Sequence, residues 1–417
     1  MAKRTGGLRD RDTRAAVYKR RAGVLLAAAL LWAGISPTAQ TLWQTPGRVH
    51  LRKGSELYLE LPALVQADAN GCIEKGGASE GQLIARQEGT GEIVLRLMGI
   101  MPVKTMSVSI EEEKMLIPGG SLIGVAMETQ GVLLVGTSDV GPAPSPAYAA
   151  GLRSGDSILE ADGIGIGSAE ELEACVETAG GREMRLTIER GGERFERTVQ
   201  PAQDPRDGHW RLGAWVRDST AGVGTLSFID PQTGRYGALG HSISDIDTNT
   251  RMLLSEGEIY DSAVADVRRG EAGAPGELVG SFFDQTQAIG SIERNTDYGI
   301  YGVYFAAPGA EAIPIMSRDE VRTGPAVVIS QIDNGPPQRY SCEIVRVSQQ
   351  SGSAQRGLVL RITDARLLTK TGGIVQGMSG SPIIQDGKLA GAVTHVLVND
   401  PTMGYGIFIE SMLEAAG

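Results

Sequence analysis

From residue 222 to residue 410 the chain repeats one pattern, a short apolar or alternating run followed by glycine or proline. "GVGTLSFI", "GIYGVYFAAP", "GPAVVIS", "RYSCEIVRV", "GLVLRIT", "SPIIQ", "LAGAVTHVLV" and "GYGIFIE" are five to ten residues each. Runs of that length, rich in β-branched residues and bounded by turn formers, read as strands. A long series of them has few ways to hide its edges, and a sandwich or a barrel is the expected outcome. Composition points the same way, with 57 glycines and only 5% aromatics in 417 residues, which suits many turns and not a helical bundle.

A chain of this length holds two or three domains. Its formal net charge of −11 excludes the basic footprint of a nucleic-acid binder. Cys72, Cys175 and Cys342 are far apart and odd in number, so they read as buried or free thiols, and no Cys/His cluster has metal-ligand spacing. Neither a metal nor a cofactor is expected.

The basic stretch 1–21 precedes an uncharged apolar one at 22–35, and with Ser36–Ala39 the segment 22–39 reads as a membrane anchor or signal. The remainder is then extracytoplasmic, with the basic flank inside. Residues 46–115 alternate polar and apolar positions and read as a small β domain without chemistry.

Residues 119–204 change character. "SLIGVAMETQGVLLVG" gives two strands, "SAEELEACVETA" a helix capped by Ser168 with Glu171 in a capping box, and "EMRLTIERGGERFERTVQP" a hairpin turning at Gly191-Gly192. The helix has an apolar face of Leu172, Cys175 and Val176. "SPAYAAGLRSGDSILEADG" resembles the small-helix segment of PDZ domains, through Ala150, Gly151, Leu152, Gly155, Asp156, Ile158 and Gly163. That resemblance places a carboxylate-binding loop at Leu122, Ile123, Gly124 and Val125. The amides of such a loop hold a peptide C-terminus while the peptide adds a strand to the sheet edge. The ligand is a partner's C-terminus or the chain itself.

In 205–417 the search for chemistry is short, because the chain has four histidines: His50, His209, His241 and His395. A serine nucleophile needs such a base. His241 ends the strand-like run in "GRYGALGH". Ser379 lies in Gly377-Met378-Ser379-Gly380-Ser381-Pro382. The G-x-S-x-G elbow of α/β-hydrolases fails here, since the fifth residue is Ser381 and a strand follows. The order G-x-S-G-x-P instead resembles the nucleophile turn of chymotrypsin-fold proteases. In such a turn the Gly377 and Ser379 amides face one oxyanion. Ser381, directly before Pro382, is the weaker nucleophile and more suited to shaping the turn.

"TGRYGALGHSISDIDT" together with "ITDARLLTKTGGIVQGMSGSPIIQDGKLAGAVTHVLVNDPTMGYGIFIE" resembles the stage IV sporulation protein B peptidase family, as does the order anchor, PDZ domain, peptidase domain. The resemblance implies Ser379 as nucleophile, His241 as base and Asp364 as the carboxylate. Asp245 and Asp247, close to His241 in sequence, are alternatives that no motif supports. It further implies self-cleavage, then cleavage of a protein in a membrane-embedded protease-regulator complex, in the space between mother-cell and forespore membranes during endospore formation. The fold expected is mainly β: a PDZ (α+β) domain and a chymotrypsin-like double β-barrel peptidase domain behind an N-terminal anchor. A non-catalytic PDZ adaptor is the competing function. A trimeric heat-shock protease fits less well, because that family places its PDZ domain after the protease domain.

Overall fold

The computed structural model describes residues 45–62, 64–76, 81–111, 113–282, 287–306, 309–348 and 356–417. The expected anchor at 22–39 lies outside them. Among the described residues no helix is long and apolar enough to cross a membrane. The chain divides into two compact units, Met1–Glu113 and Lys114–Gly417.

The described residues of the first unit form two β-sheets. Its four-stranded sheet runs Arg48–Arg52, Met101–Glu111, Gly89–Leu97, Val65–Asn70, antiparallel except for the first pair. A three-stranded sheet orders Glu56–Tyr58, Gln82–Ala85 and Ile73–Lys75. Alternation along the strands delivers Ile93, Leu95, Met106, Val108 and Ile110 to one buried core, as a period-two pattern requires.

The second unit is organised by two 16-residue strands, Leu122–Thr137 and Ala214–Ile229. They pair antiparallel from Ala214↔Thr137 to Thr225↔Leu122, with two register shifts on the way. One end of the pair sits in a PDZ-like sheet, where Val132 and Leu133 pair with Ser157–Ala161, which pairs with Met184–Arg190 and then Glu193–Val199. The hairpin turns at Gly191-Gly192, both at positive φ (59° and 85°). Helix Ala169–Ala179 begins at Ser168, whose side chain accepts the Glu171 amide, while the Glu171 carboxylate returns to the Gly167 amide at 2.7 Å. Its buried face carries Leu172 and Val176, with Cys175 packed at the margin. Asp156 is fully buried and is satisfied by Arg190 and by the Arg153 amide.

The other end of the two strands belongs to the C-terminal half of the unit. There Ala214–Ile229 pairs with Arg235–Ala238, which pairs with Gly299–Val303, and Leu254–Arg268 pairs with the outer edge of Leu122–Thr137. The last third of the chain closes a six-stranded antiparallel barrel in the order Gly324–Ser330, Gln338–Val347, Leu358–Ile362, Asp400–Phe408, Lys388–Leu397, Pro382–Gln385. Val328, Ile344, Leu360, Ile383 and Val393 fill it.

Three expectations need correction. "SLIGVAMETQGVLLVG" forms one continuous strand, Leu122–Thr137, and not two. The double barrel is a single closed barrel beside a 14-stranded sheet, because the two long strands carry the second layer directly into the PDZ-like sheet and leave it unclosed. Leu122, Ile123, Gly124 and Val125 are not a loop. They lie mid-sheet, Gly124 opposite Val223 on one side and Tyr260 on the other, so strand partners occupy the backbone that a carboxylate would need.

Candidate active site

Ser379 sits in the turn that leads into the barrel strand Pro382–Gln385, and His241 follows the strand Arg235–Ala238. Two features bring the segments together. Leu239 and Gly240 both adopt positive φ (70° and 73°), which reverses the chain just before His241. A leucine in that region is strained and persists only where packing holds it, and Leu239 is buried. Gly380 lets the two backbones touch, since a Cβ on it would lie 2.0 Å from the Thr225 carbonyl and 2.6 Å from the Leu239 amide.

The hydrogen bonds of the turn leave two donors over. The Gln376 carbonyl accepts from the Leu278 amide, and the Gly377 carbonyl from the Thr225 hydroxyl at 2.7 Å. The Met378 amide donates to Val375, and its carbonyl accepts from Ser381. The Ser379 carbonyl accepts from the Thr225 amide at 2.9 Å, and the Gly380 amide donates to Val393 at 2.7 Å. Among the described residues, the Gly377 and Ser379 amides have no protein partner. These are the two amides named from the sequence.

The His241 ring is half-buried. Its Nδ1 lies 2.8 Å from the Ser242 carbonyl, which can only accept, so the proton of the neutral ring is on Nδ1 and the lone pair on Nε2. Burial pushes its pKa below the usual histidine range, partly offset by that carbonyl. The His395 ring packs against it with centroids 4.9 Å apart. His395 is exposed on one side; the desolvation of its inward part, then His241 and Arg356, push it down to about 4. The Ser379 hydroxyl donates to the Thr394 carbonyl at 2.7 Å.

None of the three carboxylates read from the sequence meets His241 through a hydrogen bond or ion pair. Asp364 caps helix Ala365–Thr371, accepting from the Arg366 and Ser341 amides and pairing with the Arg366 guanidinium at 2.9 Å. Arg366 holds its carboxyl down at about 2. Asp245 and Asp247 both pair with Arg217, and Asp245 also ties down the Asp247 and Thr248 amides. Ser381 is fully buried with its hydroxyl on Ser330, which removes it as a nucleophile and leaves it the shaping role.

Several residues at the site carried no signal in the sequence. Thr225 and Thr394 are ordinary strand threonines. Asn295 fixes the loop after His241, accepting from the Ile243 amide and donating to the Ile243 and Met252 carbonyls. Its place two residues beyond the strand-like "SIE" is visible only once the strands are paired.

A barrel-borne serine, a histidine with its lone pair on Nε2 on the adjoining loop, and a turn with two spare amides are the parts that a serine hydrolase uses. Residues 208–413 match the family described as SpoIVB peptidase S55, and residues 140–190 match the PDZ domain. The chain belongs to the SpoIVB peptidase S55 family and is a serine peptidase carrying a PDZ domain. Among solved structures it is similar to the active form of the Rv3671c protease from M. tuberculosis, at 16% identity over 48% of this chain and 75% of that one, with a TM-score of 0.29. It is also similar to the HtrA-type protease AlgW with a tripeptide, at 11% identity over 46% and 54%, TM-score 0.28. The PDZ domain of the SdrC-like protein from Listeria monocytogenes aligns at 20% identity over 21% of this chain and 87% of that domain, TM-score 0.19.

Proposed function

We propose that this chain is a membrane-anchored, extracytoplasmic serine endopeptidase that works through Ser379 and His241, cleaves itself, and then cleaves a protein of a membrane complex during endospore formation. The observation that supports the site is the turn 376–381, in which only the Gly377 and Ser379 amides remain to take an oxyanion. Chemistry begins when the Ser379 side chain turns from the Thr394 carbonyl to His241 Nε2. His241 takes the hydroxyl proton as Oγ attacks the peptide carbonyl, and the two amides bind the resulting oxyanion. His241 then protonates the leaving amine, and water releases the acyl group by the same path. The Ser242 carbonyl keeps the ring in the required tautomer, a task elsewhere given to a carboxylate. Self-cleavage, the membrane-complex substrate and the site of action rest on the family resemblance and on the basic-then-apolar start of the sequence.

The test is labelling of the full chain with a fluorophosphonate probe. Wild type should be modified at Ser379, and Ser379→Ala and His241→Ala should not. Modification of another serine, or labelling that survives His241→Ala, would overturn the assignment; no labelling under any condition would favour the adaptor.

Peptide docking fits a different edge from the one expected. Strand Ala214–Ile229 passes helix Ala169–Ala179 antiparallel to it, with Trp210 on Glu177 near one end and Asp218 on the Ala169 amide at the other. Over Ala214–Thr220 it has, among the described residues, a strand partner on one edge only. Ahead of it the Leu212 and Gly213 carbonyls are taken by Ala147, Ser138 and Ser145, while their amides have no partner among the described residues. Cys175, Ala214 and Val216 line the cleft with part-buried apolar surface. A peptide C-terminus on the Leu212-Gly213 amides, with its chain along Ala214–Asp218, satisfies the same chemistry.

A further inference from the structure

We propose that Thr225 is a positioning residue of the peptidase reaction: its hydroxyl, amide and carbonyl hold the nucleophile turn and the histidine loop in one fixed relation, so that the Gly377 and Ser379 amides point into the site. This rests on the assignment of Ser379 and His241 made above.

Thr225 makes three contacts that tie the two segments together. Its Oγ1 donates to the Gly377 carbonyl at 2.7 Å, and its amide donates to the Ser379 carbonyl at 2.9 Å. Its carbonyl accepts from the Leu239 amide at 3.2 Å, two residues before His241. Each bond fixes a peptide plane. The plane joining Gly377 to Met378 is held by Thr225 Oγ1 at one side and Val375 at the other. The plane joining Ser379 to Gly380 is held by the Thr225 amide and by Val393. The oxyanion donors belong to the two planes that alternate with these; the Leu278 and Ser381 amides hold those planes at the Gln376 and Met378 carbonyls, and Thr225 fixes the planes that follow each donor.

Two of the three contacts come from the backbone and follow from strand geometry alone. The hydroxyl does not. The Gly377 carbonyl is buried and Thr225 is 1% exposed, so without Oγ1 that carbonyl would have no partner. A buried acceptor in that state drives its peptide to rotate toward any donor it can find. Rotation of the plane joining Gly377 to Met378 turns the neighbouring amides off the oxyanion. Losing one preorganised donor of this kind lowers turnover by about 10²–10³. A side chain that aligns donors without touching the reacting atoms should cost less, on the order of tenfold to a hundredfold.

The experiment compares Thr225→Val, Thr225→Ala and Thr225→Ser in the full chain with wild type. The reading is the limiting rate of fluorophosphonate modification of Ser379, with the probe concentration at half-maximal rate and the thermal midpoint taken on the same samples. Thr225→Val keeps the shape and removes the donor, and its limiting rate should fall at least about tenfold with the half-maximal concentration unchanged. Thr225→Ser keeps the donor and should stay within about threefold of wild type. If Thr225→Val does not fold, Thr225→Ala against Thr225→Ser makes the same comparison. Equal rates in the hydroxyl-bearing and hydroxyl-lacking variants overturn the proposal, whether both match wild type or both are impaired. Wild type unlabelled at Ser379 instead overturns the functional assignment beneath it, so the two failures are told apart.

Discussion

The Ser379 hydroxyl donates to the Thr394 carbonyl at 2.7 Å, and not to a histidine. The next residue on that strand, His395, has its ring against His241. The proposed nucleophile therefore rests on a backbone acceptor one residue before the histidine that touches the proposed base. In the proposed reaction the Ser379 side chain has to leave that acceptor. Nothing else in the turn has to move, because its carbonyls are already paired to Thr225 and to Ser381.

Asp364→Asn distinguishes a triad carboxylate from a helix cap. Asparagine caps as well as aspartate, so helix Ala365–Thr371 should survive while the pair with Arg366 is weakened. With His241 oriented by Ser242, the fluorophosphonate labelling rate should stay within a few-fold of wild type. Loss of a triad carboxylate instead lowers turnover by about 10⁴. Asp364→Ala removes the cap as well and should cost about 1 kcal/mol in denaturant unfolding. The carboxyl is held at about 2, below its ordinary 3.8. Its contribution is therefore present above the ordinary value and fades as pH falls toward the folded one.

The histidine pair predicts acid sensitivity. A base must be neutral, and burial lowers the His241 pKa, so the acid limb of the labelling rate should lie below the ordinary value of about 6.5. His395 is pushed further, to about 4. Both groups resist protonation when folded, whereas the unfolded chain takes protons from about 6.5 downward. Stability should therefore be whole above that pH and decline as pH drops toward 4. His395→Gln should flatten part of this decline in thermal midpoints measured across the range. The effect is modest, since the ring also meets solvent and its charge is screened there. An unchanged decline in the variant would remove His395 from the account.

Gly380→Ala should break the site through the backbone. The position combines φ of +97° with a Cβ 2.0 Å from the Thr225 carbonyl. Backbone strain of about 1–3 kcal/mol adds to an overpacking cost of similar size. Gly387 has φ of +79° and open space around it, so Gly387→Ala carries the strain alone. The denaturant midpoint should fall clearly further for Gly380→Ala, and Ser379 labelling should be lost only there. Equal shifts would mean that close approach to Thr225 is not what requires glycine.

How legible this was from the sequence differs by link. The Ser168 cap and the Gly191-Gly192 hairpin are local, set by turn chemistry within a few residues, and they stand where the sequence puts them, whereas the two strands read in "SLIGVAMETQGVLLVG" are one because long-range pairing carries through it. Ser379 and His241 stand out as candidates because the motif around one is compact and histidines are scarce. The orienting group was not legible. Asp364 precedes the nucleophile in sequence, but Arg366, two residues on, claims its carboxylate, and a backbone carbonyl such as that of Ser242 has no residue signature at all. Thr225 was hidden for a related reason, since its three bonds reach Leu239, Gly377 and Ser379 only after the strands pair. The Leu122–Val125 assignment failed on register: the stretch has the composition of a binding loop, and two distant strands, Ala214–Ile229 and Leu254–Arg268, pair with it on both edges.

The cleft between helix Ala169–Ala179 and strand Ala214–Asp218 makes the last prediction. Its apolar lining of Cys175, Ala214 and Val216 suits an apolar C-terminal residue, and the Leu212 and Gly213 amides suit a free carboxylate. Hydrogen bonds to a charged group contribute about 1.5–3 kcal/mol. Capping a bound peptide as its C-terminal amide should therefore weaken binding by at least about tenfold. Val216→Asp should abolish binding of the free acid by placing a like charge beside it, while Ser379 labelling persists. A photoreactive group at the peptide C-terminus should attach within 209–218. Attachment at 122–125 would return the site to the loop first read from the sequence. That outcome would require Leu254–Arg268 to leave the strand edge it now covers.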